Sequence, residues 1–424
     1  MTAALWLWLV MSLTATPSPL VTEGARNEFA KAVLAELVKT QQALMIQHRI
    51  NDLPGLYGSN WAAQQALKVS QVRSQYLNAW ARLRRIDWTG ITVTVRTPSI
   101  AFVTNDRIRF YAVEREQYHY RYQSLPKTPL WFGIASRHHL SIEHTQQGWR
   151  FYSDDFTNPV LPNNIAGQQV PQQVGGLPPR VTLSPNRQQA VNYANQYCGN
   201  APGCGNDGHY NSAYRNYNGI GGDCTNWISQ VLHAGGFPMT SVWRYDQTTD
   251  EGSDAWANAR NLAEFLKSSG RATLFSVGSY EAVTRPTASW PYGAIETLEP
   301  GDLISYQEHG HIVHTAVVVG YDPKGVVLTN AHTNDRYHVP WDFGWSDGTT
   351  FYLWHVHYPS GSPRPRASAP TRQSSTGWVE YREPGHNPLH HQARQDNWAR
   401  RTPYIALNSR PATARQRNST RYPV

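Results

Sequence analysis

The chain has 424 residues, of which 40% are hydrophobic and 12% aromatic, a globular composition long enough for two or three domains. Charged residues are sparse at 16%, and 31 Gly with 28 Pro require many loops. A net charge of +8 would ordinarily point to nucleic acid or an anionic surface, but Pro359–Val424 carries eleven Arg, no Lys and three acids, so the excess lies in that tail and the neutral body argues against a nucleic-acid-binding domain.

The opening "MTAALWLWLVMSLTATPSPL" has a short apolar core followed by small residues and prolines. It is too short to span a bilayer and fits a secretory signal over residues 1–19, although no basic residue precedes it. No later segment is long and apolar enough to cross a membrane, so the mature chain is expected to be exported and soluble. Two helical patterns follow: Phe29, Val33, Leu37 and Leu44 recur at helical spacing, and so do Leu67, Val69, Val72, Tyr76 and Trp80. The period then changes to that of strands, in "ITVTV", "RIRFYAV", "YHYRY", "HHLSIEH" and "GWRFYSDDF". Helices followed by antiparallel strands predict an α+β domain over residues 25–158, whose element order resembles the cone-shaped nuclear-transport-factor-like or cystatin-like folds. His138, His139 and Asp154 read as strand and turn residues there, with no catalytic constellation.

Residues 159–182 form a Pro/Gln/Gly linker. A second α+β domain over 183–358 opens on a helix with Ser184 as N-cap and Pro185 as its first residue. It carries a short helix after Asp223, a further helix ending at Gly270, and then the strands "GDLISYQ", "IVHTAVVVGY", "GVVLTNAH" and "TFYLWHVHY". The Arg/Pro-rich tail, 359–424, lacks apolar periodicity and reads as disordered, able to bind acidic envelope polymers or simply solvated.

Three cysteines agree with export. Cys198 and Cys204 sit in the Gly/Pro loop "CGNAPGC", which a disulfide can close, and that pairing leaves Cys224 as a lone thiol. In "GGDCTNWISQVLHAGG", Trp227, Ile228, Val231 and Leu232 share one helix face, and Gly235 can end the helix. Asp223 is placed as N-cap, so Cys224 falls in the first turn. Unpaired N–H groups and the helix dipole favour a thiolate there and could receive an oxyanion. On position alone, a nucleophile and a buried structural cysteine stand level. A thiolate enzyme needs a base and an orienter. His314 alternates in phase with Ala316 and Val318 on one strand, and the next strand ends in His332 and Asn334, either of which could hydrogen-bond His314. The competing reading takes His309, His311, His314 and His332 as a zinc site.

"GGDCTNWISQVLHAGGFPM" resembles the DCTNF-SQ-L-AGG-PM signature of the family described as "putative amidase domain", found in exported proteins of Gram-positive bacteria. "RQQAVNYANQY", "WRY", "LEPGDLISYQ", "HTAVVVGY" and "AHTND" match in order, over residues 184–358. The resemblance implies kinship with papain-like cell-wall cysteine hydrolases of the NlpC and CHAP types. Cys224 would then be the nucleophile, His314 the base, and His332 the polar third member with Asn334 in reserve. Tyr217, before the cysteine, would line the oxyanion site, its alternative role being that of a packing aromatic. Val313 stands where that family usually has Asp, and the Cys198–Cys204 loop reads as an insertion. The implied activity is hydrolysis of an amide, plausibly in a cell-wall peptide, through a thioester and without metal or cofactor. A non-catalytic envelope-binding scaffold and a Cys–His acyl transferase are the rival readings.

Overall fold

The computed structural model describes residues 22–156, 182–206, 208–345 and 348–360; the signal segment, the linker and all but the start of the tail lie outside them. Two 24-residue helices come first, α1 (Glu23–Ile46) and α2 (Trp61–Arg84), each with a side-chain cap, from Thr22 Oγ1 and Asn60 Oδ1. They pack on a meander of long strands, β1 (Ile86–Phe102), β2 (Arg107–Tyr122), β3 (Leu130–Thr145) and β4 (Gly148–Phe156). Of the apolar stripe expected on α2, Leu67, Tyr76 and Trp80 are buried and the two valines are not. The buried face of the helix runs through Ala63, Ala66, Leu67, Ser70, Arg73, Ser74, Leu77 and Trp80, while Val69 and Val72 are only half-buried.

Ser70 and Ser74 face inward on neutral hydrogen bonds, to Gln41 and Tyr57 and to the Met45 carbonyl, and Arg73 because the interior holds a charge network. Arg73 pairs with Glu116 at 3.0 Å, and Tyr118 donates to the same carboxylate at 3.0 Å. His138 lies between Asp154 at 2.9 Å and Glu114 at 3.4 Å. Burial, and then the neighbouring Glu116, push Glu114 up to about 8, so it is protonated at neutral pH and can donate to Glu116. Burial opposes a charge on His138, but Asp154 and Glu114 outweigh it and raise its pKa. The pairings in this interior are therefore Arg73 with Glu116 and His138 with Asp154.

The remaining elements are α3 (Pro185–Gln196), α4 (Cys224–Ala234), a two-stranded ribbon of β5 (Tyr245–Asp246) and β6 (Glu251–Gly252), α5 (Asp254–Ala257), α6 (Ala259–Ser269), β7 (Ala272–Gly278), α7 (Tyr280–Thr284), β8 (Leu303–Glu308), β9 (His311–Tyr321), β10 (Val327–Ala331), β11 (Asp335–Pro340) and β12 (Thr350–Val356). Ser184 caps α3 with Pro185 as its first residue, and Gly270 ends α6 in the left-handed conformation. The architecture is α+β, with a large antiparallel sheet in the order β1-β2-β3-β11-β10-β9-β8-β12-β7 and β4 attached to β3. Period-2 alternation lets that sheet bury both faces. Leu303, Val317, Val319 and Trp354 face α3, α4 and α6, whereas Ile304, Ala316, Val318 and Leu353 face the α7 side.

One strand joins the two regions. β3 pairs with β2 along one edge; its other edge takes β4 at residues 138–145 and β11 at 133–135. Phe343, just after β11, packs into the N-terminal aromatic core against Trp80 at 5.1 Å and Phe132 at 4.9 Å. The junction is close-fitting: a Cβ at Gly133 would lie 2.2 Å from the Pro202 carbonyl oxygen. Gly133→Ala is therefore expected to cost about 1–3 kcal/mol, as overpacking does. A thermal melt checks this, and an unchanged midpoint would show that the Pro202 loop gives way freely. Among the described residues, no helix is long and apolar enough to cross a membrane.

Candidate active site

Helix α4 is buried along its length, from Cys224 to Leu232. Its polar residues are each held. Asn226 donates to the Arg215 carbonyl and to Asp223 Oδ1, and accepts from Trp256 Nε1. Ser229 bridges the Trp256 carbonyl and Trp243 Nε1, and Gln230 accepts from the Tyr193 hydroxyl. The motif therefore encodes a helix locked in place by side-chain bonds, with Cys224 as its first residue.

Asp223 occupies the N-cap position, but its side chain makes no capping bond. Its Oδ1 accepts from the Tyr217 N–H and from Asn226 Nδ2, both at 2.9 Å, and its Oδ2 faces His332 Nδ1 at 2.7 Å. The first-turn N–H groups of α4 are thus not taken by this carboxylate. The approach that makes this possible runs through Gly222, at φ +102°, where a Cβ would stand 2.9 Å from Thr333 Oγ1. Only glycine is comfortable with both constraints.

The strands supply the rest. Pairing shifts register between Tyr306 and Gln307, so Val313 bulges out, 48% exposed, directly before His314. Bulges commonly re-aim a neighbouring side chain. His314 is buried opposite Tyr306, with the Tyr306 ring at 5.7 Å and the Trp345 ring at 5.5 Å. The Cys224 thiol is close enough to β9 to receive the N–H of Thr315, the next residue after His314.

Electrostatics favour a neutral pair at rest. Burial pushes the Cys224 thiol up, aided by the Asp223 charge and opposed by the Thr225 hydroxyl and the Thr315 N–H. Burial, the Arg336 charge and His332 push His314 down to about 3. With both groups held neutral, a thiol attack here would need a general base during the step rather than a preformed ion pair.

The other expected site residues fall as follows. His332 is stacked on Trp227 at 4.8 Å, with Nδ1 on Asp223 and Nε2 on the Tyr197 carbonyl, 2.7 Å each, so neither nitrogen is left for His314 in this arrangement. The Tyr197 carbonyl can only accept, so Nε2 carries a hydrogen. Asn334 lies in the turn after β10, and its Oδ1 is buried with no partner among the described residues. The Tyr217 hydroxyl accepts from the Gly252 N–H at 2.8 Å, while the Tyr217 backbone bonds Asp223. Cys198 and Cys204 are joined as a disulfide, and Cys224 is free and buried. His309 and His311 are exposed at the β8–β9 turn, and among the described residues no three His, Cys, Asp or Glu are grouped to hold a metal.

Residues far apart in sequence complete the surroundings. Thr333, β-branched, is held at φ +82°, a strained backbone for its type. Its Oγ1 accepts from the Asp223 N–H at 2.9 Å. Its carbonyl accepts from Arg137, a β3 residue. Tyr210 and Asp335 join the same cluster. Nothing in local spacing connects 137 or 210 to 333, so these residues were not among those expected. A cleft of about 560 Å³ between α2, α7 and the β9–β10 turn is lined by none of the expected site residues.

The model of the family described as "putative amidase domain" matches residues 184–354, the segment holding Cys224, His314 and His332, and points to amide hydrolysis. The Bacillus subtilis (strain 168) protein named "Uncharacterized protein YhbB" is 33% identical over 156 residues, 35% of this chain; the chain spans 43% of that relative's length. Among solved structures, the intermembrane space region of chloroplast protein ARC6 aligns with 30% of this chain and 94% of its own, at 15% identity and a TM-score of 0.22.

Proposed function

We propose that residues 183–358 form a papain-like cysteine amidase that cleaves an amide bond in an exported setting, with a cell-wall peptide as substrate. Cys224 attacks the carbonyl. His314 takes the thiol proton and passes it to the leaving amine, and water then hydrolyses the thioester. The first-turn N–H groups of α4 receive the oxyanion. The third polar group is assigned to the turn holding His332 and Asn334. Of the two, Asn334 has the free acceptor, while His332 acts through Asp223 on the cysteine side. The short apolar N-terminal segment and the basic tail support a location at the envelope. The observation carrying this reading is the free Cys224 at the start of a helix locked on all sides, against the strand that bears His314.

Incubation of purified muropeptides with the wild type and with Cys224→Ala tests it. The expected result is a fall in product formation of roughly 10⁴ or more, as for loss of other nucleophiles. Identical products from both would end the cell-wall claim. The burial that raises the Cys224 thiol favours the rival scaffold reading. Iodoacetamide separates the two, because an assisted thiol alkylates faster in the wild type than in His314→Gln, and an inert one labels alike in both.

A further inference from the structure

We propose that Arg137, on β3 and outside the amidase-matched segment, is a positioning residue of the cysteine site; this rests on the reading of Cys224 as nucleophile. One guanidinium holds the middle of the turn between β10 and β11 and the first residue of β11. Its Nη1 donates to the Thr333 carbonyl at 2.8 Å, and its Nη2 donates to Asp335 Oδ2 at 3.0 Å and to the Tyr210 hydroxyl. Asp335 is fully buried, so its carboxylate needs that cation. The same Oδ2 also accepts the Asn200 N–H at 2.8 Å and the Tyr210 hydroxyl, whose ring lies edge-on to His332 at 4.9 Å.

What the clamp holds is strained. A threonine at φ +82° persists only where its surroundings over-determine it. Here the carbonyl is fixed by Arg137 and the hydroxyl by the Asp223 N–H. Asp223 in turn orients His332 and immediately precedes Cys224. The chain of contacts runs from Arg137 through Thr333 to Asp223, so the N-terminal region sets where the helix bearing the cysteine begins. Lysine could keep the charge and one of these bonds but cannot span the fork.

The test uses the full chain and two readouts. The His332–Asp223 bond gives a downfield ring N–H resonance in proton NMR, assigned by its loss in His332→Gln. In Arg137→Ala that resonance should shift or vanish, and Cys224 alkylation by iodoacetamide should change by about 10- to 100-fold, as small misplacements do. Arg137→Lys should fall between. An Arg137→Ala protein that melts like the wild type, with the resonance unmoved, overturns the inference. Should Arg137→Ala not fold, Arg137→Lys decides, because it keeps a cation for Asp335 but not the fork: the resonance and the labelling rate should still move, and wild-type values for both overturn the inference. A wild-type Cys224 that labels no faster than in His314→Gln would sink the nucleophile reading instead, leaving the resonance to judge Arg137.

Discussion

Arg73→Met is expected to destabilise the fold by about 3–5 kcal/mol, the usual cost of leaving a buried charge without its partner. Arg73 and Glu116 are each only 2% exposed and stand 3.0 Å apart. Glu116 already receives the Tyr118 hydroxyl. Glu114 beside it is raised by burial and by Glu116 itself, so it relieves the pair only by being protonated. Without the guanidinium, Glu116 must either stay charged in an apolar interior or take up a proton. Adding Glu116→Gln should recover much of the loss, because the orphaned charge goes with it. Urea unfolding of the two single variants and the double one measures the coupling. A singly substituted Arg73→Met protein as stable as the wild type would refute this account of the core.

The second large effect belongs to His314. Turnover of the proposed amidase should fall by about 10²–10⁴ in His314→Gln, the span of general-base contributions. The same substitution should alter acid stability, and this readout needs no substrate. The unfolded ring protonates near its ordinary value of 6.5, the folded one only near about 3. Between those values the unfolded state binds a proton that the folded state does not. Stability is therefore complete above pH 6.5 and drains away as pH falls towards 3, by on the order of 4 kcal/mol. Glutamine binds no proton, so His314→Gln should lose less stability between pH 7 and pH 4 than the wild type. Parallel slopes in urea titrations at those two values would show that His314 is not held neutral by the fold.

Much of the architecture was legible because it is written in local pattern. Ser184 before Pro185 marks where α3 starts, Gly270 marks where α6 stops, and alternation in "HTAVVVGY" marks a strand buried on both faces. Cys224, Asp223 and His314 stood out for similar reasons: motif, position and phase. What did not show was anything decided by distant partners. Val69 and Val72 look like core on α2, yet Ser70, Arg73 and Ser74 face inward because their partners, Gln41 and Tyr57, Glu116, and the Met45 carbonyl, lie on other segments. His138 and Asp154 read only as strand and turn residues; that they form a buried pair follows from β3 and β4 setting them side by side. His332 looked like the partner of His314, but a ring with two nitrogens bonds whatever acceptors the fold presents, and here these are Asp223 and Tyr197.

The sharing of β3 between two sets of neighbours bears on how the chain can be divided. Residues 184–354, taken out alone, would carry β11 with the backbone edge that β3 covers at residues 133–135 left bare. Phe343 would lose the aromatic cage of Trp80 and Phe132, and Asp335 its cation. A naked strand edge beside an exposed ring and an uncompensated carboxylate is a template for aggregation. The boundary at which sequence similarity stops is therefore not the boundary at which the molecule can be cut.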